Sequence, residues 1–365
     1  MSQQSDDLTR KRIVFHVDLD YFYAQCEQVR KPELRDKPVA VCIYSGRTED
    51  SGAVSTANYA ARALGVKSGL PIIVAKRIAA GRVEFIKADL DYYESVSMRI
   101  MAILRSCSSI FEQASVDEAY IEMHDISYGK AVAIAEDIKK KILEAERLTC
   151  SVGIGSNKLM AKMAAGFRKP DGLTLVREEE NEKFLEDMQV GDIFGVGKVT
   201  EAKLNEMGIH TVSELRSMDL YTLQSKFGSS MGIWLYNASR GIDDEAVKER
   251  QREQYGKIVT LKSDTRDANT ILSAANEMAD EVATMVRADN QMFKTVSFIG
   301  ILEDLSIRSK NKTLQEFADS GEAISGVMGE LVERFLSEHE GKLRRIGIKV
   351  SNLSERKMQK KLWDF

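Results

Sequence analysis

Cysteine is scarce in this chain, and what there is does not pair up. The 365 residues hold four cysteines, Cys26, Cys42, Cys107 and Cys150, widely separated and with no C-x-x-C among them. That spacing supplies neither a zinc-ligand set nor a disulfide framework, and a reduced, cytoplasmic setting is the simplest expectation. Long apolar runs are missing too. Nothing approaches the roughly 18 residues of a membrane span, and MSQQSDDLTRKR at the start lacks the apolar stretch of a secretory signal. An excess of positive charge is likewise absent, since the net charge is −4. Taken alone, that total counts against a nucleic-acid partner.

The distribution of charge reverses this. Between 342 and 361 the positives Lys342, Arg344, Arg345, Lys349, Arg356, Lys357, Lys360 and Lys361 meet one acid, Glu355. A globally acidic protein can carry a local basic footprint of this kind. The remaining composition, 43% hydrophobic and 30% charged, is that of an ordinary globular chain. Its length allows roughly two to four domains.

Residues 12–18 read as a buried strand that ends on HVDLDY, with Asp18 and Asp20 where an apolar run should continue. A second strand is interrupted by SVDEAYIE (115–122), with Asp117 and Glu118 side by side. Between them STANYAARALG favours helix with Gly65 as its cap, which would put Thr56, Tyr59 and Arg62 on one face. An amphipathic helix over 91–105, a helix through Ile134, Ile138 and Ile142, and the glycine-bearing strand LTCSVGIG complete an α/β or α+β core. From about residue 177 the chain reads as a small α domain, starting with the charged helix REEENEKFLEDM. There Phe194-Gly195-Val196-Gly197 ahead of KVTEAKL fits a helix-hairpin-helix. Its glycines let backbone N–H groups approach a phosphate, making Gly195, Gly197 and Lys198 candidate contacts. EAVKERQREQYG (245–256) reads as a linker or a solvated helix. Beyond it the order is strand 257–262, helix 268–287, strands 295–302 and 305–314, helix 321–336, strand 343–350. This is βαββαβ, the ferredoxin-like arrangement. In the last strand Ile346, Ile348 and Val350 face one side and Arg345 and Lys349 the other. With Arg344 these form a candidate phosphate-contacting set.

The carboxylates carry the chemistry. If the two acidic strands are neighbours, Asp18, Asp117 and Glu118 converge at one rim, and like charges that close need cations between them. Oxygen donors suit Mg²⁺. Two such ions about 3.5–4 Å apart activate an attacking oxygen and stabilise a leaving one. Adjacent strand residues face opposite sides, so Asp117 and Glu118 can act together only at a strand end or bend. Spacing alone names no substrate.

HVDLDYFYAQ, SGRTEDSGAVSTANYAAR and SVDEAY, in this order and at this separation, closely resemble the Y-family DNA polymerases, in particular the archaeal DinB-like branch of the DNA polymerase IV type. The resemblance runs from about Arg12 to the C-terminus. It implies an α+β multidomain right hand: a ferredoxin-like palm (1–21 and 88–176), small fingers (22–87), a helix-hairpin-helix thumb (177–244), the linker (245–256), a βαββαβ little finger (257–352) and a flexible tail (353–365). It also implies template-directed addition of dNMPs to a primer 3′-hydroxyl, at low fidelity across damaged template and without a proofreading exonuclease. Asp18, Asp117 and Glu118 would hold two Mg²⁺, with the Leu19 carbonyl as a further ligand. Backbone N–H groups at Tyr21-Phe22-Tyr23 would meet the triphosphate, together with Thr56, Tyr59, Arg62 and Lys169. Tyr23 would be the steric gate against a 2′-hydroxyl. Ile43, Ala53, Ser55 and Gly69 would cover the nascent base pair. Asp20 is expected to support the structure, and His16 is assigned no role.

The terminal QKKLWDF resembles a clamp-binding peptide, with Gln359 as polar anchor and Leu362, Trp363 and Phe365 in the apolar plug. The partners so implied are primer-template DNA, dNTPs and a PCNA-like sliding clamp, for a monomer working at the nucleoid without a membrane. Two competing readings stand beside this one: another palm-type enzyme such as a nucleotide cyclase, and a catalytically silent DNA-binding scaffold.

Overall fold

The computed structural model of the chain describes residues 12–356. Two compact units divide at Arg250, and the second also takes residues 43–53 and 69–75. In chain order the elements up to Arg250 are β1 (Arg12–Leu19), α1 (Phe22–Arg30), β2 (Val39–Tyr44), β3 (Gly52–Ala57), α2 (Tyr59–Ala63), α3 (Ile72–Ala79), β4 (Glu84–Lys87), α4 (Leu90–Arg105), β5 (Ile110–Gln113), β6 (Glu118–His124), α5 (Tyr128–Glu146), β7 (Cys150–Gly155), α6 (Lys158–Phe167) and β8 (Leu173–Leu175). Five helices follow: α7 (Asn181–Leu185), α8 (Lys198–Glu206), α9 (Val212–Ser217), α10 (Leu220–Phe227) and α11 (Ser229–Ala238). The rest is β9 (Gln254–Thr265), α12 (Ala268–Ala288), β10 (Gln291–Leu302), β11 (Ile307–Ala318), α13 (Gly321–Glu338) and β12 (Leu343–Glu355).

The main sheet of the first unit has the order β5-β6-β1-β7-β8, so β1 is interior. Its sequence explains this place, because RIVFHVDL buries side chains on both faces. Ile13, Phe15, Val17 and Leu19 enter a core with Val96, Ile100 and Leu104 of α4 and Ile138 and Ile142 of α5. On the other face Val14 packs with Tyr120 of β6 and Ala161 of α6. Gly153 shows why that strand must be glycine-bearing. A β-carbon there would meet the Ala161 carbonyl oxygen at 2.0 Å, so α6 rests directly on the backbone of β7.

The five following helices build their own core from Leu185, Ile193, Leu204, Leu215, Leu223 and Leu235, continuous with Met160 and Met163 of α6. Gly195 is held at φ +105°, and a β-carbon on it would strike the Trp234 ring at 2.6 Å. Both conditions demand glycine.

In the second unit the βαββαβ succession expected from the sequence is present. Its sheet has the order β11-β10-β12-β9, with the pairings β10–β11, β10–β12 and β12–β9 all antiparallel. Counted within each sheet, the first and third strands (β1 and β6) are neighbours at the centre of the first, whereas the second and fourth (β10 and β12) are at the centre here. The ferredoxin-like label therefore fits this unit by succession of elements, not by strand order. Phe293, Val296, Phe298, Ile346, Ile348 and Val350 pack against Ile271, Met278, Val282, Met328 and Leu331 of α12 and α13.

Three expectations need adjusting. The helix expected across STANYAARALG is only Tyr59–Ala63, because Ser55 and Thr56 belong to β3 and Asn58 caps α2 by accepting from Ala61 N–H. Gly65, at φ +88°, does end the turn. The charged start at REEENEKFL forms only a short 3₁₀ turn and α7. Residues 245–256 form no helix and are only briefly a linker, because β9 begins at Gln254 and Glu245–Arg250 belong to the first unit. Val247 is buried in the Val14–Tyr120–Ala161 cluster. Glu112, on β5, accepts from Lys158 Nζ at 2.9 Å and Arg250 Nε at 2.7 Å, and Lys158 also reaches Glu245 at 2.5 Å.

Candidate active site

The end of β1 positions the first acid. Asp18 is the register partner of Glu118, the first residue of β6. Directly paired residues share a face with their β-carbons about 4.5–5.5 Å apart. Asp117 precedes the strand, and its carbonyl accepts from Leu19 N–H at 2.9 Å. The two adjacent acids thus sit at a strand start, the condition under which both can reach one rim. An opening of about 260 Å³ is lined by Asp18, Leu19, Tyr21, Phe22, Ser55, Thr56, Tyr59, Arg62, Asp117, Glu118 and Lys169, with Ser68 as the one lining residue not singled out by sequence.

Each acid already has a partner. Asp18 Oδ1 lies 2.5 Å from Lys169 Nζ, and Glu118 Oε2 lies 2.6 Å from Lys162 Nζ. Asp117 accepts from Ser115 Oγ at 2.5 Å. Among the described residues no three His, Cys, Asp or Glu side chains form a ready-made metal cage. The donor set is nonetheless all hard oxygen, drawn from register partners and an adjacent loop, and that chemistry fits Mg²⁺. Burial raises the Asp18 pKa; Lys169 opposes the rise and the Glu118 charge adds to it. Burial also works against ionisation of Glu118, but His16 and Lys162 outweigh it and hold that carboxyl well below the usual range.

His16 shares the face of Asp18. Its ring is fully buried beside Tyr120, with Nε2 3.7 Å from Glu118 Oε2. Burial pushes its pKa down to about 4, against the raising effect of nearby Glu118. Asp20, also fully buried, ties three segments together. It accepts from Ser151 Oγ at 2.7 Å, Thr149 Oγ1 at 2.9 Å and Asp171 N–H at 2.8 Å. The last bond anchors the loop that carries Lys169.

Tyr21, at φ +34°, turns the chain from β1 into α1. Phe22 and Tyr23 occupy the first turn of α1, where N–H groups have no intrahelical acceptor. Tyr23 stacks on Tyr93, with centroids 4.3 Å apart, and Tyr93 donates its hydroxyl to buried Glu27 at 2.9 Å. The ring is therefore backed by a rigid, hydrogen-bonded neighbour. Tyr59 meets Tyr21 edge-on, and Arg62 lies over the Tyr59 ring with Nε fixed on the Ala57 carbonyl at 2.8 Å.

The other expected residues lie elsewhere. Ile43, Ala53 and Gly69 are exposed and cluster with the second unit, while Ser55 belongs to the first. Gly195, Gly197 and Lys198 are exposed at the start of α8, with Gly197 as its cap residue. Arg345 and Lys349 share the open face of the second unit's sheet. That face also carries exposed Ile258 and Ile307, so it is not purely basic. Arg344 points elsewhere, 4.0 Å from Asp264. Gln359, Leu362, Trp363 and Phe365 lie outside the described residues. Sequence reasoning missed Lys162. Its signal was there: Lys158 and Lys162, four apart, are the only charges in the apolar helix KLMAKMAAGF.

Comparison with known proteins supplies the family. Residues 17–166 match the impB/mucB/samB family, 191–243 the DNA polymerase-iota thumb domain, and 252–362 the impB/mucB/samB family C-terminal domain. The chain is 44% identical over 360 residues to DNA polymerase IV of Nitrosopumilus maritimus, covering 97% of this chain and 99% of that protein. It belongs to the Y-family DNA polymerases. DNA polymerase IV 1 of Methanosarcina mazei is 43% identical, with 97% and 100% covered. Among solved structures, the Y-family DNA polymerase chimera Dbh-Dpo4(243-245)-Dbh is 36% identical with a TM-score of 0.88, covering 94% of this chain and 99% of that one. The insertion ternary complex of Dbh DNA polymerase, also 36% identical over 94% and 99%, has a TM-score of 0.68. As a Y-family enzyme the chain is a DNA-directed DNA polymerase, which displaces the nucleotide-cyclase and silent-scaffold readings. Among the described residues no helix is long and apolar enough to cross a membrane.

Proposed function

We propose that this polymerase extends a primer on DNA template by two-metal nucleotidyl transfer and is adapted to damaged template. The observation that carries the reading is the direct register pairing of Asp18 with Glu118, with Asp117 next to the pair. Asp18, Asp117 and Glu118, with the Leu19 carbonyl, would hold two Mg²⁺, which supply Lewis-acid activation of the attacking oxygen and relief of charge on the leaving one.

The chain's own residues do the rest. Lys169 and Arg62 flank the acidic rim and neutralise a triphosphate, Arg62 as a planar fork held in place by Tyr59 and Ala57. Thr56 and Tyr59 add hydroxyls, and the first turn of α1 adds N–H groups. Tyr23, backed by Tyr93, excludes a 2′-hydroxyl by contact. Asp20 keeps the Lys169 loop in register. The primer 3′-hydroxyl gives up its proton to solvent, its oxygen bonds to the α-phosphorus, and the bond from that phosphorus to the departing pyrophosphate breaks. Gly195, Gly197 and Lys198 at the hairpin, with Arg345 and Lys349, grip backbone phosphates without reading sequence.

The family resemblance assigns Ile43, Ala53, Ser55 and Gly69 to the cover of the nascent base pair, and all but Ile43 are small, which suits a loose check of shape. This supports lesion bypass at low fidelity without proofreading. The C-terminal peptide engages a sliding clamp, and the enzyme works as a monomer in the cytoplasm at the nucleoid. Primer extension with Mg²⁺ and dNTPs tests the core of this reading. The wild type extends and Asp117→Ala does not; extension by Asp117→Ala at the wild-type rate overturns it. Deleting 358–365 is expected to lower clamp-stimulated synthesis and spare basal synthesis, and equal loss of both contradicts the clamp assignment.

A further inference from the structure

Lys162 stands one turn beyond Lys158 on α6, and its ammonium has two neighbours. Nζ lies 2.6 Å from Glu118 Oε2 and 4.5 Å from the centre of the Phe194 ring. Glu118 lines the acidic opening. Phe194 leads the Gly195-Val196-Gly197 hairpin into α8. Lys162 also lines a separate cleft of about 1000 Å³, together with Met163, Lys183 and Phe194. One side chain thus touches both a carboxylate of the proposed reaction centre and the first residue of the turn proposed to receive phosphate.

Charge balance gives this arrangement a consequence. An ammonium in hydrogen-bond contact neutralises Glu118, and a divalent cation approaching the same oxygen must displace it or share the site with a like charge. The lysine stem is flexible and its charge is mobile. A nucleic-acid backbone phosphate arriving at the hairpin offers that charge a second anion, on the side where the Phe194 face already attracts it.

We infer that Lys162 is a positioning residue that couples DNA binding to cation binding. It holds Glu118 until a backbone phosphate reaches the hairpin, then pairs with the phosphate and leaves the Glu118 oxygen to the divalent cation. The inference rests on the two-metal reading above. By linkage the effect is reciprocal: primer-template and cation raise each other's affinity by the same factor.

Mn²⁺ binding to the full chain, followed by electron paramagnetic resonance, tests it. The titration is run alone and with primer-template ending in a dideoxynucleotide, without dNTP. In the wild type, primer-template raises Mn²⁺ affinity about tenfold. Lys162→Met keeps the bulk of the stem and removes the charge. Its DNA-free Mn²⁺ affinity rises about fivefold, and the gain on adding DNA shrinks by a similar factor. The salt slope of its DNA binding falls by about one. Phe194→Leu keeps the ammonium but removes the aromatic face, and lowers the coupling by about twofold to threefold. If Lys162→Met does not give a native circular dichroism spectrum, Lys162→Gln and Phe194→Leu carry the same titrations. Equal DNA-free Mn²⁺ affinity in the charge-removing variant and wild type, or an unchanged gain with DNA, overturns the coupling while leaving the metal reading intact. A wild type that binds no Mn²⁺ even with DNA overturns the metal reading itself.

Discussion

Each unit contains a strand-helix-strand-strand-helix-strand set, β1-α4-β5-β6-α5-β7 in the first, where α1 to β4 are inserted after β1, and β9-α12-β10-β11-α13-β12 in the second, and the two treat charge in opposite ways. In the first, helices cover both faces of the sheet, and the face under α6 holds His16, Glu112, Glu118, Lys158 and Lys162 in or near contact. In the second, α12 and α13 cover one face and that interface is apolar. Its ion pairs, such as Lys310–Glu338 and Lys312–Glu330, stay at the surface, and Arg345 and Lys349 stand on the open side. Among the described residues no acid pairs with either of those two. Burying charge is costly unless it is matched. On the two-metal reading proposed above, the first unit bears that cost where acids would meet cations or where a segment is anchored. On the same reading the second would need only to present charge to a polyanion, and for that exposure is enough.

The sharpest way to break this contrast is to remove one half-buried, ion-paired acid and two bases of the open face. Glu118→Gln is expected to lower single-turnover extension by several kcal/mol of barrier, at least about a thousandfold. Arg345→Ala with Lys349→Ala is expected to leave single-turnover extension at saturating DNA within a few fold. A comparable loss in both would mean that the second unit also builds the reaction centre.

Glu112 tests whether burial alone, away from the chemistry, carries weight. Burial raises its pKa, but Lys158 and Arg250 prevail and hold it below the ordinary value. A depressed carboxyl stabilises the fold above its unfolded pKa of about 4.3, and that contribution drains away as pH falls through the folded value. Glu112→Gln takes from buried Lys158 one of its two carboxylate partners, leaving the more exposed Glu245, and is expected to cost about 3 kcal/mol near neutrality. The deficit closes as the wild type is acidified below about pH 4. Denaturant melts at pH 7 and pH 3.5 read both effects. A constant deficit across that range would show that the network contributes no linked stability.

Tyr23→Ala is expected to relax the choice of sugar, admitting ribonucleotides about a hundredfold more readily while dNTP incorporation changes less. Competition between UTP and dTTP measures it. Undiminished discrimination would remove Tyr23 from the gate. Tyr93→Leu, which takes away the stacked support, is expected to do the same in weaker form.

Much of the first unit's site could be read from the chain because its residues break a pattern. Asp18, Asp117 and Glu118 interrupt apolar strands, and only a strand start lets the last two cooperate, which is where β6 begins. What stayed hidden had local signals that agree with a blander context. STANYAAR is rich in helix formers, and local propensity alone puts Thr56 on a helix. Pairing of β3 in the small sheet with β2, a tertiary effect, overrides that propensity. Glu245–Arg250 look like solvated linker, since nothing near them in sequence reveals the buried Glu112 and Lys158 that receive them. Lysines four apart on a helix usually mark a wet face. On α6 they mark the covered one, and only the glycines of β7, which draw that helix down onto the sheet, gave a hint.

The smallest expected effect separates the bases of the second unit from its ion pairs. If Arg345 and Lys349 contact phosphates, each alanine substitution lowers the slope of log affinity against log salt by about one, and by the same amount on any DNA sequence. Lys312, paired with Glu330 on the other side of the sheet, serves as the control. Its alanine variant is expected to leave both the salt slope and the melting temperature where they were, because an exposed pair exchanges one solvated arrangement for another. A slope that falls equally for Lys312→Ala would mean that DNA reads the net charge of the unit. The open face would then have no special place in binding, and the contrast between matched and presented charge would hold for the first unit alone.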